Sequence, residues 1–296
     1  MPRNRTKNAK DVKSSDSFDV FRYQLSIKSG FQFNLFGEEM TTQELKARKN
    51  NYFHDQLLNV KNFISAHGNT LLHKIMVDVN DITVFKIGPE RKITLQDRDF
   101  ERKTVETVAD VTVVIDNRPD IQKIAINHNK QAFQSSFVVV NVLAENLNKL
   151  LDEFGIEITI APILVKEDFW KLMKTYEHKI TSLRFEIIKP NISNISSSLG
   201  DQFKELVDIT NSMKTIVELK APEGRVLENI NEKNEPLMEI ADYATKGGAS
   251  DIKLKIKNVV KPVRINSTIE KVTLTDIEIV GNAKDVAKLY KQILGT

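Results

Sequence analysis

The sequence predicts an α+β (mixed α/β) fold, a central mixed sheet with packed helices and antiparallel strands near the C-terminus. Three observations carry this. Apolar and polar residues alternate with period two in many short runs, the mark of half-buried strands. Helix-period stripes interleave with those runs between about 121 and 220, which favours helices packed on a sheet. Three closely spaced strand-like runs, DIKLKIK, KPVRINS and KVTLTDIEI, then follow within 251–279.

Taken in order, residues 1–17 carry Arg3, Arg5, Lys7, Lys10 and Lys13 with almost nothing to bury, and read as a disordered basic tail. Phe21, Tyr23, Leu25 and Ile27 alternate with polar residues as a first strand, and a second apolar stretch, Phe31 to Phe36, ends at Gly37. TTQELKARKNNYFHDQLLNVKNFISAHG has a capping-box start, Thr41 with Glu44, and is expected to stay helical until Gly68. KIMVDV and DITVFKI read as strands. PERKITLQDRDFERKT is a long connection or a hairpin. VTVVID and IQKIAI flank the turn NRPD as a β-hairpin.

In SSFVVVNVLAENLNKLLDEFG, Phe137, Val140, Leu143, Leu147, Leu150, Leu151 and Phe154 share one helical stripe, and Gly155 sits where a C-cap belongs. IEITIAPIL, TSLRFEIIKP and TIVELKAP read as strands. EDFWKLMKTYEH, SSLGDQFKELVDIT and the closing GNAKDVAKLYKQIL read as helices, and VLENINEKNEPLMEIADYATKGG as a broken one. The weakest seam lies near 100–107. It divides an N-terminal α+β region, 18–105, from an α/β sandwich domain, 106–296.

Composition narrows the function classes. With 43 basic and 40 acidic side chains among 296 residues the net charge is +3, so attraction to a polyanion must come from local patches. The absence of cysteine removes disulfides, thiolate nucleophiles and cysteine-ligated zinc. No apolar run reaches the roughly 18–20 residues a membrane span needs, and the N-terminus lacks the apolar segment of a secretory signal. A cytoplasmic protein is expected. The sequons at Asn191, Asn194 and Asn266 would then be idle. No cofactor fingerprint occurs.

Five constellations invite chemistry. Glu218-Leu219-Lys220 lies in TIVELKAP with Glu and Lys on one strand face. The spacing resembles the PD-(D/E)xK nucleases, where the carboxylate would bind Mg²⁺ and the lysine would steady the attacking water. Such a site needs a further Asp on the adjoining strand. The candidates, Asp201 and Asp208, fall in an expected helix, and a solvated strand face is the plainer account. Arg48 and His54 fit the Arg-x4–6-His spacing of the HEPN ribonucleases, which require a helical bundle. Two surface residues on an amphipathic helix would look the same.

The five histidines, His54, His67, His73, His128 and His178, show no paired metal spacing. Gly247-Gly248 suits a helix stop and turn, although its amides could also hold a phosphate.

The fifth is DIKLKIK. Lys253, Lys255 and Lys257 leave one strand face at a spacing of about 6.5–7 Å, close to that of successive phosphates along a nucleic-acid strand. Lys261 and Arg264 lie just beyond a turn. Lysines on an edge strand also discourage unwanted pairing, and no aromatic stacking partner stands nearby.

IQKIAINHNKQAFQSSFVVVNVLAENLN, LRFEIIKPNIS and DYATKGGASDIKLKIK together set out strand, turn and helix, then a strand closing on Pro-Asn, then a glycine turn and strand. Over about 110–270 this order resembles uncharacterised bacterial domain-of-unknown-function families found in anti-phage defence and mobile-element neighbourhoods. The resemblance implies a prokaryotic, cytoplasmic component working beside a partner protein, and it brings no catalytic residues.

The expected function is therefore a non-enzymatic component that binds nucleic acid or a partner protein. The alternatives are a Mg²⁺-dependent nuclease using Glu218, Lys220 and Asp208, and a scaffold or homo-oligomer without a ligand of its own.

Overall fold

In the computed structural model, residues 15–28, 33–35, 38–96, 98–189, 197–210, 212–265, 269–275 and 282–295 are described. Gly37, Pro190 and the three sequons lie outside them, as does the expected basic tail up to residue 14. Residues 15–17, which that tail included, already form the start of a strand.

The chain runs β1 (Ser15–Ile27), β2 (Phe33–Leu35), β3 (Glu38–Met40), α1 (Thr42–Asn59), β4 (Phe63–Ile64), β5 (Thr70–Val79) and β6 (Ile82–Gln96). It continues through β7 (Arg102–Val108), β8 (Val111–Asp116), β9 (Lys123–Asn127), α2 (Ser136–Leu151), β10 (Ile156–Pro162), α3 (Lys166–Thr175) and β11 (Ile180–Ile188). Last come α4 (Asp201–Ile209), β12 (Lys214–Lys220), α5 (Glu235–Tyr243), β13 (Ala249–Ile256), β14 (Val263–Arg264), β15 (Lys271–Thr275) and α6 (Ala283–Leu294). Among the described residues, no helix is long and apolar enough to cross a membrane.

A large sheet of nine strands has the order β10-β1-β9-β8-β6-β5-β4, with β15 also on β1 and β7 on β6. A small sheet has the order β12-β11-β13-β14. The α+β class holds. The sheet is not mixed, however: every described pairing is antiparallel. Of the helices between strands, α4 leads from β11 to β12, which turns back beside it, whereas α2 joins β9 to β10, which run the same way on either side of the antiparallel β1. The seam near 100–107 falls inside the β6–β7 hairpin, and strands from both sides of it pair in the large sheet.

Alternation along β1 serves both faces of the large sheet. Phe21, Tyr23 and Leu25 join Ile124, Ile115 and Val113 in a core shared with Leu45, Phe53 and Leu57 of α1 and Val139, Leu143 and Leu147 of α2. On the opposite face Val20, Ala125, Val114 and Val84 stand side by side across four strands, covered by Val286, Ala287, Tyr290 and Leu294 of α6.

Local signals explain the element ends. Thr41 and Glu44 form the expected capping box. The helix nevertheless stops at Asn59, because Phe63 and Ile64 pair with Leu71 and Thr70 as a short strand. Gly68, at φ +80°, belongs to that hairpin turn and is not a helix cap. Gly155 does sit just past the α2 region in the left-handed conformation, φ +62°.

β6 outruns its partners. From Glu90 to Gln96 it pairs, among the described residues, only with β7, so Glu90–Gln96 and Arg102–Val108 form a hairpin arm with exposed Leu95, Val105 and, at its tip, Phe100, which is 80% exposed.

Candidate functional site

DIKLKIK forms the greater part of β13, an inner strand of the small sheet and not its edge along the whole length. It pairs with β11 throughout and with β14 at Lys253 and Leu254. Leu183, Phe185 and Ile187 of β11 and Ile252, Leu254 and Ile256 of β13 are buried in the main core, along with Phe169, Trp170 and Met173 of α3 and Leu237 and Ala241 of α5. The other face is open and charged. Register places Ser182 between Lys220 and Lys255, Arg184 between Glu218 and Lys253, and Glu186 between Ile216 and Asp251.

The lysine row splits into two environments. At the inner end, Lys253 pairs with Asp251 at 2.7 Å and approaches Glu186 at 3.8 Å. Arg184 reaches Glu186 at 3.0 Å, Lys214 also pairs with it, and Arg264 lies 3.8 Å from Asp251. The Lys214 hydrogen bond, and after it the charges of Lys214, Lys253 and Arg184, hold the Glu186 carboxyl below its ordinary range. Lys253 and Arg264, both expected as phosphate contacts, are thus balanced by carboxylates within the sheet.

The outer end differs. Lys255, Lys257 and Lys261 are exposed and, among the described residues, have no ion-pair partner. Three more cations that sequence reasoning did not place there join them. The register of β11 and β12 brings Lys220 to Ser182, across from Lys255. The Lys257 N–H donates to the Lys179 carbonyl at 2.7 Å, so these two residues are neighbours. Chain 221–227 folds back over the start of β11, with Ala221 N–H donating to Thr181 at 2.9 Å and Leu227 N–H to Ile180 at 2.7 Å. The turn between them carries Arg225, and the Lys257 ammonium reaches the Gly224 carbonyl at 3.5 Å. Glu218, Glu223 and Glu177 are the acidic residues along the same segments. Beyond β13, Val259 and Val260 form an apolar turn tip, Val260 being 99% exposed.

The nuclease constellation does not assemble. The Glu218 carboxylate accepts from Ser182 Oγ at 2.8 Å. Asp208 sits on α4 and pairs with Lys189, at the far end of β11; four residues of strand, about 13 Å, separate that end from Glu218. Asp201 pairs with Lys204 in the first turn of α4. The carboxylate diagonal to Glu218 is Glu186, which is taken up by Arg184 and Lys214. Among the described residues, no group of three His, Asp or Glu side chains is placed to hold a metal.

Arg48 and His54 are both on α1, but six residues of helix set them about 120° apart. His54 Nε2 lies 2.8 Å from Asp78, which also accepts from Thr83, while Arg48 is exposed. α1 packs on the sheet and on α2, not in a helical bundle.

Gly247 and Gly248 are buried, which removes them as a phosphate cradle. A side chain on Gly247 (φ +86°) would lie 2.5 Å from Arg22 Cβ, and one on Gly248 would strike the Tyr243 ring. The turn is a joint between the sheets. Buried Arg22 of β1 donates to the Lys246 carbonyl at 2.7 Å and the Ile121 carbonyl at 2.6 Å, and burial lowers its pKa to about 10.

No protein-family model matches the chain, and no curated protein matches it.

Proposed function

We propose that this chain is a non-catalytic binding component that holds the phosphate backbone of nucleic acid at the outer end of the small sheet. The setting we propose is a prokaryotic defence or mobile-element assembly, beside a partner protein. One observation carries the binding role: Lys179, Lys220, Arg225, Lys255 and Lys257 meet at one sheet end, exposed and without carboxylate partners among the described residues. Cations so placed bind a polyanion by releasing its counterions, with affinity falling steeply as salt rises. No exposed aromatic ring lies among these residues, so stacking on bases contributes little and sequence preference should be weak.

The test is fluorescence anisotropy with labelled single-stranded and duplex DNA and RNA across 50–300 mM salt. Expected is saturable binding of similar strength to different sequences, weakening log-linearly with salt. Absent binding, or binding indifferent to salt, would overturn the reading.

A second reading, a protein scaffold, is favoured by the arm at 90–108. A two-stranded hairpin is marginal alone, and this one keeps Leu95, Phe100 and Val105 in water. Replacing 91–107 by a two-residue turn should then abolish self-association or partner capture without lowering the melting temperature of the remainder.

A further inference from the structure

A second basic site lies away from the small sheet, on α6. A cleft of about 480 Å³ runs between this helix and the β5–β6 and β8–β9 loops, lined by Arg118, Lys284, Lys288 and Lys291, with Asp285 in the lining and Asp81 and Asp120 close to its cations. Arg118 is preorganised. Its Nε donates to the fully buried Asp116 carboxylate at 3.0 Å, and its Nη2 to Asp116 and to the Lys291 carbonyl at 3.1 Å. The third nitrogen, Nη1, has no acceptor among the described residues, and the side chain is 28% exposed. The guanidinium is therefore clamped through Nε and Nη2, and Nη1 is left to donate a charge-assisted hydrogen bond to an oxyanion.

Lys284 and Lys288 are exposed one helical turn apart, with no ion-pair partner among the described residues. Lys291 follows on the same face, bonded to Asp81 at 3.3 Å. Like charges at these spacings repel, so the helix alone gains nothing from them. An anion between them and Arg118 would turn that repulsion into attraction. From Lys284 to Lys291 the helix rises about 10 Å, enough for more than one phosphate group. Among the described residues, the only apolar side chain in the lining is Ala287, and no ring is present to hold a base.

We propose that this cleft binds adjacent phosphate groups, as presented by a pyrophosphate-like ligand, recognised by Arg118, Lys284 and Lys288. The same chemistry could come from a free diphosphate, from a nucleotide's diphosphate tail or from a nucleic-acid backbone. The full-length protein would be titrated at constant ionic strength with inorganic pyrophosphate, a nucleoside diphosphate and a short oligonucleotide, read by calorimetry and thermal shift. Pyrophosphate should bind saturably, and the nucleoside diphosphate about as well, because the base is not read. Displacement of pyrophosphate by the oligonucleotide identifies the backbone as a source, and its failure to displace identifies a free ligand. Either supports a phosphate site.

Lys284→Glu with Lys288→Glu should weaken pyrophosphate at least tenfold, whereas Lys255→Glu with Lys257→Glu should leave it unchanged. This separates the cleft from the small-sheet interface. If the double reversal lowers the melting temperature without ligand, Lys288→Ala replaces it and should still cost threefold or more. No saturable pyrophosphate binding, or binding untouched by the α6 substitutions, overturns the proposal.

Discussion

At the inner end of the small sheet, Arg184, Lys214, Lys253 and Arg264 crowd Glu186 and Asp251. At the outer end, Lys179, Lys220, Arg225, Lys255 and Lys257 face water without such partners. Both ends belong to one continuous sheet face, and β13 contributes to each. The difference comes from register, since β11 sets Glu186 beside Asp251 at one end and Ser182 between two lysines at the other. A lysine row read from one strand is therefore not yet a charged patch. What stands on the neighbouring strand decides whether the charge is spent inside the protein or offered outside it.

The comparison is broken most severely by removing the strand both ends rest on. Phe185 is fully buried on the hidden face of β11, 6.4 Å from the Phe169 ring. Phe185→Ala should cost about 3–5 kcal/mol, measured by urea unfolding, and should weaken binding at the outer end and the ion pairs of the inner end together.

Acid should act on the folded support more than on the interface. Asp242 of α5 is pulled two ways: burial raises its pKa, but hydrogen bonds from Lys166, Lys246 and Ser198 outweigh that and hold it at about 2. Its folded value lies below its unfolded value, so its stabilisation is complete above about pH 4 and is lost as pH falls toward 2. Asp242→Asn should lower stability at pH 7 by on the order of 1–2 kcal/mol, allowing for solvent around the lysines, and flatten the acid limb of the unfolding curve.

A smaller effect sharpens the comparison. Lys253→Ala removes a lysine already paired with Asp251, so it should change nucleic-acid affinity less than about twofold, whereas Lys255→Ala should cost several-fold. Equal losses from the two substitutions would show that the inner pairs open to the ligand.

Much of this was legible along the chain. The capping box at Thr41 and Glu44, the α2 stripe from Val140 to Leu147, and the strand at 252–256 follow from local spacing, which the structure keeps. The misplacements came where a distant partner decided the outcome. Phe63 leaves its helix because Leu71 is there to pair with it, and β15 passes over its neighbour β14 to join β1 at Ser15–Asp19. The candidate site divides in the same way. Lys255 and Lys257 could be read from alternation, but Lys179, Lys220 and Arg225 reach them only through strand register and a folded-back loop.

The most direct measurement is the slope of log affinity against log salt for a labelled oligonucleotide, compared among the native protein, Lys255→Glu with Lys257→Glu, and Lys253→Ala. If the outer end holds the backbone, the double reversal should reduce the slope by roughly 1.5–2 and lower affinity tenfold or more. Lys253→Ala should follow the native line. A double reversal that leaves both slope and affinity unchanged would contradict the account.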